Sequence, residues 1–320
     1  MALITKYGSI WGMLPNTAGR VFWVAPTSPY LVEGRSYDAS DQNDGLSPER
    51  ALATINRAAT VLATANAGDV VVMLPGTHVL TAAITASTAG ITFMGLPSGA
   101  GNKMRQKTVV QATASAACFA ITAADIEVAY LHMVPTTANS AVTISAAGSR
   151  SYLHHCSVDM NTAAVSTSTR GFQATGAASN VLVEQCIFLN AGAQGPAVVA
   201  TALLDSIVQD CDFITQSGVW AAAMLCGAAT ARLNIRRCYF TSVGTTATMT
   251  RGIDGSGSTI LPAVTVEDCR FAGGVGTQAG GIIVNAISRF GNSGCYSIEN
   301  YQGFMDITTS TGSTLQIVTT

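Results

Sequence analysis

A four-position apolar pattern recurs along the middle of the chain. Counted from a cysteine, apolar residues stand five and three positions before it and two positions after it. The copies are Val181, Val183, Cys186 and Phe188; Leu233, Ile235, Cys238 and Phe240; and Val264, Val266, Cys269 and Phe271. Cys211 keeps the pattern with Val208 and Phe213, and Cys156 with Leu153 and Val158. One repeat earlier, Ile126, Val128, Leu131 and Met133 fill the same places with leucine for cysteine, and Cys295 marks a degenerate last copy. The first two apolar positions alternate as in a strand with one face inward. The extra residue before the third breaks that alternation and predicts a bend. Strand, bend and strand every 25 to 31 residues describes one coil of a solenoid. The pattern therefore predicts an all-β fold, a single-stranded right-handed parallel β-helix. Cys156, Cys186, Cys211, Cys238 and Cys269 would form its internal ladder, one rung about 4.8 Å above the next.

The ends read differently. Ser47 as N-cap, Pro48 at the first helical position and Glu49 in the first turn predict a capping α-helix near 48–66. Its apolar stripe is Leu52, Ile55, Ala59 and Leu62, placed to cover the open end of the solenoid, and Gly68 ends it. Residues 1–35 do not fit the repeat and carry Trp11, Phe22, Trp23 and Tyr30, punctuated by Pro15, Pro26 and Pro29. They predict an extended arm, packed along the β-helix or inserted into a partner through its aromatic anchors. Residues 36–300 form the β-helix, and 301–320 predict closing strands.

Composition sharpens this picture. Only 11% of the 320 residues are charged, against roughly 25% in typical soluble domains, while 48% are hydrophobic, many of them alanine. So little surface charge points to self-association. A net charge of −2, from 16 basic and 18 acidic residues, offers no electrostatic footprint for nucleic acid and no polybasic membrane anchor. The first twenty residues lack the basic and apolar regions of a signal peptide, and no apolar run is long enough to span a membrane. The eight cysteines include no CxxC pair, so they read as reduced packing residues rather than bridges or ligands.

The copies at 181–188, 233–240 and 264–271 resemble the short repeat of the pectate-lyase-like β-helix superfamily. The run from Ser36 to Pro48 with its Asn43, Asp44, Gly45 turn, and the Pro75, Gly76, Thr77 turn after an apolar strand, resemble that superfamily too. The resemblance covers about residues 36–300 and is specific for fold, since this fold hosts several functions. The short aromatic arm, capping helix and bare β-helix together resemble virion proteins of tailed bacteriophages.

Candidate chemistry lies on outward positions. Two positions before the cysteine stand His154, Glu184, Gln209, Arg236 and Glu267; one before stand His155, Gln185, Asp210, Arg237 and Asp268. Glu184, Asp210 and Asp212 could form a carboxylate group near Arg236, as cleavage of a glycosidic bond requires an acid and a base or nucleophile. Alternating charges stacked up a sheet, as in Asp210, Arg237 and Asp268, explain the same columns more economically. Asp38, Asp41, Asn43 and Asp44 are crowded oxygen donors, explained more cheaply by turns and capping than by calcium. His154 and His155 are adjacent, should point different ways on a strand, and make no zinc motif. No metal or cofactor is expected.

Two functions remain open. One is a structural virion protein, a capsid decoration or cement protein binding the major capsid protein or another virion component as a homotrimer. The other is a tailspike-like adhesin or polysaccharide lyase or glycosidase acting on host surface glycans.

Overall fold

The structure is a computed structural model. It describes residues 19–58, 67–96, 106–113, 116–135, 139–160, 169–190, 195–227, 229–243, 247–255 and 264–272, and beyond these the strands Gly280–Asn285, Phe290–Ser293, Tyr296–Ile298 and Met305–Thr308. The chain winds into the expected right-handed parallel β-helix, almost wholly β, with three parallel sheets of ten, nine and nine strands. Each coil visits the first sheet, bends, crosses the second and returns through the third. One coil runs Tyr152–His154, Ser157–Asp159 and Arg170–Ala174 before Leu182–Glu184 starts the next.

The bend has a specific conformation. Tyr130, His155, Gln185, Asp210, Arg237 and Asp268, each one residue before the ladder position, all have positive φ between 49° and 56°. A second such column, Asp125, Arg150, Asn180, Asp205 and Arg232, opens the same strands from the other side with φ between 48° and 59°. Each such residue costs about 1–2 kcal/mol in local conformation. Stacking offsets that cost, because the bent backbone still pairs with the next coil: His155 N donates to Glu184 O at 3.2 Å and Arg237 N to Glu267 O at 2.9 Å.

Inside the bend sits the thiol column. The five ladder cysteines are buried and free, as are Cys118 and Cys226. Each ladder thiol donates weakly to the carbonyl two residues back, at 3.1 Å for Cys211 and 3.2 Å for Cys186, so cysteine fills a small apolar site and answers one backbone acceptor. Burial pushes the Cys186, Cys211 and Cys238 thiols well up. Two residues on, Phe188, Phe213, Phe240 and Phe271 stack nearly parallel at 5.2, 4.7 and 4.7 Å between ring centres.

The N-terminal region departs from expectation. Val21–Val24 pairs in parallel with Val70–Met73, so the coil stack begins within the segment expected to be an arm. Phe22 points into the main core, while Trp23 and Tyr30 join a second core on the outer face of the first sheet. There Tyr30, Val32 and Ala51 cover Val70, Val72, Met94 and Ala129. The Tyr30 hydroxyl donates to Pro48 O at 2.7 Å and accepts from Ala51 N at 2.9 Å. These three aromatic side chains are thus enclosed by their own chain rather than offered to a partner; Trp11 lies outside the described residues.

The cap also differs. Pro48–Arg50 is a single 3-10 turn, and Ser47 makes no side-chain cap bond. Leu52 is needed as a strand residue: its N donates to Trp23 O at 2.8 Å, and its own O accepts from Ala25 N at 3.0 Å. The helix starts only at Ile55–Arg57, where Thr54 caps Arg57 N. Asp41 holds that start by accepting from Ala53 N, Thr54 N and the Thr54 hydroxyl at 3.1, 2.9 and 2.9 Å. Ile55 and Ala58 face the main core; Ala59 and Leu62 lie outside the described residues.

Candidate functional site

The outer face of the first sheet changes character along the stack. Its column in register reads Trp23, Val72, Met94 and Ala129, then His154, Glu184, Gln209, Arg236 and Glu267. The apolar part lies under the N-terminal second core. Where that cover stops, the face becomes polar and aromatic, and this junction brings together Glu127, Tyr130, Tyr152, His154, His155 and Glu184.

Each member is set by strand alternation. Glu127 and Tyr152 open their strands and His154 and Glu184 close theirs, so diagonal pairs on neighbouring coils meet. Glu127 accepts from the Thr92 hydroxyl at 2.9 Å and from His154 Nε2 at 2.7 Å. The His154 hydrogen bond, helped by Thr92, holds the Glu127 carboxyl below its usual range against the opposing effect of burial. Tyr152 stacks on His154 with 4.1 Å between centres, and its hydroxyl donates to Glu184 in a short hydrogen bond. Burial and the Glu184 carboxylate push the Tyr152 phenol up, so it stays a neutral donor. Glu184 also accepts from Gln209 Nε2 at 2.6 Å, and Gln209 Oε1 accepts from Arg236 Nε at 2.6 Å.

The bend decides the position of His155. Its positive φ of 52° folds the side chain back, so His155 Nδ1 meets His154 Nδ1 at 2.8 Å. Strand alternation alone would have parted the two rings, and that expectation is corrected. Tyr130, also at a bend, lies against both imidazoles at 5.5 and 4.9 Å. Gln106 donates to His155 O at 3.0 Å.

The expected carboxylate group is distributed rather than assembled. Glu184 belongs to the first sheet and is held by Tyr152 and Gln209. Asp210 sits in the bend and forms a two-bond ion pair with Arg237 at 2.8 and 2.7 Å. Asp212 lies on the second sheet in register with Ile187 and Tyr239. Asp125–Arg150 and Asp205–Arg232 repeat the bend ion pair on the other column. Glu127, Tyr130, Tyr152 and Thr92 were not singled out by residue type; the diagonal register between coils would have found them. The acidic N-terminal turn uses its oxygens on its own chain: Asp44 accepts from Leu46 N at 3.1 Å and pairs with the Arg50 side chain at 3.0 Å. Among the described residues, no three His, Cys, Asp or Glu side chains converge as a metal site, and no helix is long and apolar enough to cross a membrane.

No protein-family model matches the chain, and no curated protein matches its sequence. A solved rhamnogalacturonan lyase superposes with a TM-score of 0.52 at 12% identity, over 94% of this chain and 84% of its own. The likeness is one of fold. The pectin methylesterase from Aspergillus niger gives a TM-score of 0.48 at 9% identity, over 94% and 93% of the two chains. ORF18 of Geobacillus virus E2 gives 0.36 at 12% identity, over 77% and 55%.

Proposed function

We propose that the chain is a structural protein of a tailed-bacteriophage virion, a decoration or cement protein that stands on the head as a homotrimer and binds the major capsid protein or another virion component. One observation carries this reading: among the described residues, the bend carboxylates and Glu184 are held by groups of their own chain. The bend carboxylates Asp125, Asp205 and Asp210 are matched by arginines one coil away, and Glu184 has two donors of its own. Such ladders hold coils in register and leave a wall of low net charge. Light scattering of the purified protein and co-sedimentation with heads lacking it test the proposal. A trimer that binds heads is expected; a monomer that does not would overturn it.

The cluster at Glu127, Tyr152, His154 and Glu184 favours a second reading, a surface that binds or cleaves host glycans. Aromatic faces beside hydrogen-bonding carboxylates suit a sugar, whose rings offer C–H faces and hydroxyl edges. Reducing-sugar release from host surface polysaccharide, compared with Glu184→Gln, decides between them. Release by the wild type and its loss in the variant would establish the second reading.

A further inference from the structure

We infer that copies of the chain join through the third sheet of one and the first sheet of the next, with Arg170 set against Glu184 and Arg251 against Glu267. The inference rests on the homotrimer proposed above and names its contact surface. Arg170 and Arg251 hold the same place in the third sheet, two residues before Phe172 and Ile253, whose strands lie in register through Val198 and Met224. Each guanidinium reaches the outer face by bonding the residue three further on: Arg170 donates to Gln173 Oε1 at 3.0 Å and Arg251 to Asp254 Oδ2 at 2.6 Å. In both arginines Nε is buried without a hydrogen-bond partner, and Arg251 keeps 37% of its side chain exposed. Glu184 and Glu267 share the outer column of the first sheet. Among the described residues no carboxylate pairs with Arg170, and no lysine or arginine pairs with Glu184 or Glu267.

Symmetry and the winding bring these charges together. A closed ring of identical copies has no translation along its axis, so its contacts join equal heights. Each glutamate stands on the first-sheet strand that next follows its arginine: Arg170–Ala174 precedes Leu182–Glu184, and Arg251–Gly255 precedes Val264–Glu267. The two charges therefore differ in height by less than one coil, about 4.8 Å. Third-sheet strands run toward the corner between the two sheets and first-sheet strands run away from it, so both charges stand at the far ends of their strands. The corner itself is built of small residues, with Ala146, Ala147 and Ala177 exposed, and lets neighbouring copies approach closely. Between the two charged levels Pro196 faces Gln209 and Ala222 faces Arg236, so like charges never oppose. Leu182 and Ile207 on the first sheet and Leu225 on the third are half-buried and supply apolar contact. Opposite charges at matching levels then fix the register of one copy on the next.

The test uses the full chain. Light scattering of the wild type should give a trimer. Arg170→Glu should weaken assembly at least about tenfold, read from the concentration at half dissociation, and adding Glu184→Arg should restore it. Glu184 also holds Tyr152 and Gln209 within its own chain, so a second measurement avoids the swap. A short bifunctional maleimide should link Arg170→Cys, Glu184→Cys chains into covalent trimers. Arg170→Cys, Asp212→Cys chains, whose second cysteine lies on the second sheet, should stay unlinked. A monomeric wild type would overturn the trimer reading and this interface with it. A trimer that forms as tightly with Arg170→Glu, and whose cysteines at 170 and 184 do not link, would keep that reading and overturn the interface alone.

Discussion

Replacing Phe213 by alanine removes an inner ring from the stack that runs through the second sheet. Phe213 is fully buried, and its ring lies 5.2 Å from Phe188 and 4.7 Å from Phe240, tilted by only 7° and 5°. Emptying a buried phenylalanine site costs about 3–5 kcal/mol. Each ring–ring contact adds about 0.5–1.5 kcal/mol beyond area burial. Phe213 has two such contacts, whereas the equally buried Phe188 has one among the described residues, to Phe213, because Val158 occupies the same place on the preceding coil. Phe213→Ala should therefore be the costlier substitution, by roughly one ring contact. Urea unfolding of both variants, with a Phe213→Ala, Phe240→Ala cycle, measures this. Hydrogen exchange alongside it detects coils that open separately, as solenoids can. A coupling energy of at least about 0.5 kcal/mol between Phe213 and Phe240 is expected. Additive losses, or equal costs at Phe213 and Phe188, would show that the parallel rings contribute only their buried area.

Three further outcomes follow from the same structure. The native protein at pH 8 should resist thiol reagents at its buried cysteines and react there only as fast as it unfolds, because burial raises Cys186 and Cys211 and pushes Cys118 and Cys226 up to about 12; rapid modification of any of these four in the folded chain, located by peptide mapping, would contradict this. At the bend, Gln185→Asn should be nearly neutral, whereas Gln185→Val, which forces a β-branched residue to a φ of 49°, should cost about 1–3 kcal/mol in chemical denaturation. Acid should weaken the fold in two stages. Burial lowers His78 and His132 below their ordinary 6.5, so the unfolded chain takes up protons first and stability falls as pH drops below about 6.5. Glu127, also lowered, contributes stability that is present above its unfolded value near 4.5 and lost as pH falls through its folded value. A melting temperature flat from pH 7 to 5 would refute the histidine assignment, and one flat from pH 5 to about 2 the Glu127 assignment.

The coil was legible because its cause is local and repeated. An inward residue at every second place, interrupted once, marks strand, bend and strand, and the cysteines fixed the phase of each copy. The candidate site was only half legible. The column holding His154 and Glu184 follows from that phase, but the pairing of Glu127 with His154 and of Tyr152 with Glu184 depends on how far one coil is displaced over the next. The helical cap was misplaced for a related reason: Leu52 suits a helix stripe and a strand equally, and hydrogen bonds to Trp23 and Ala25 chose the strand.

The sequence by itself determined the architecture, the inward thiol column and the charge alternation at the bends, since period and residue type suffice for each. Tertiary structure decided the rest. It set Trp23 and Tyr30 inside a second core, because a sheet face of Val70, Val72 and Met94 must be covered and the nearest apolar segment is the chain's own N-terminal region. It also brought His154 and His155 together, because a bend residue at positive φ turns its side chain back along the strand it ends. Alternation predicts where strand residues point; at a bend it no longer applies, and the ladder cysteines mark those bends.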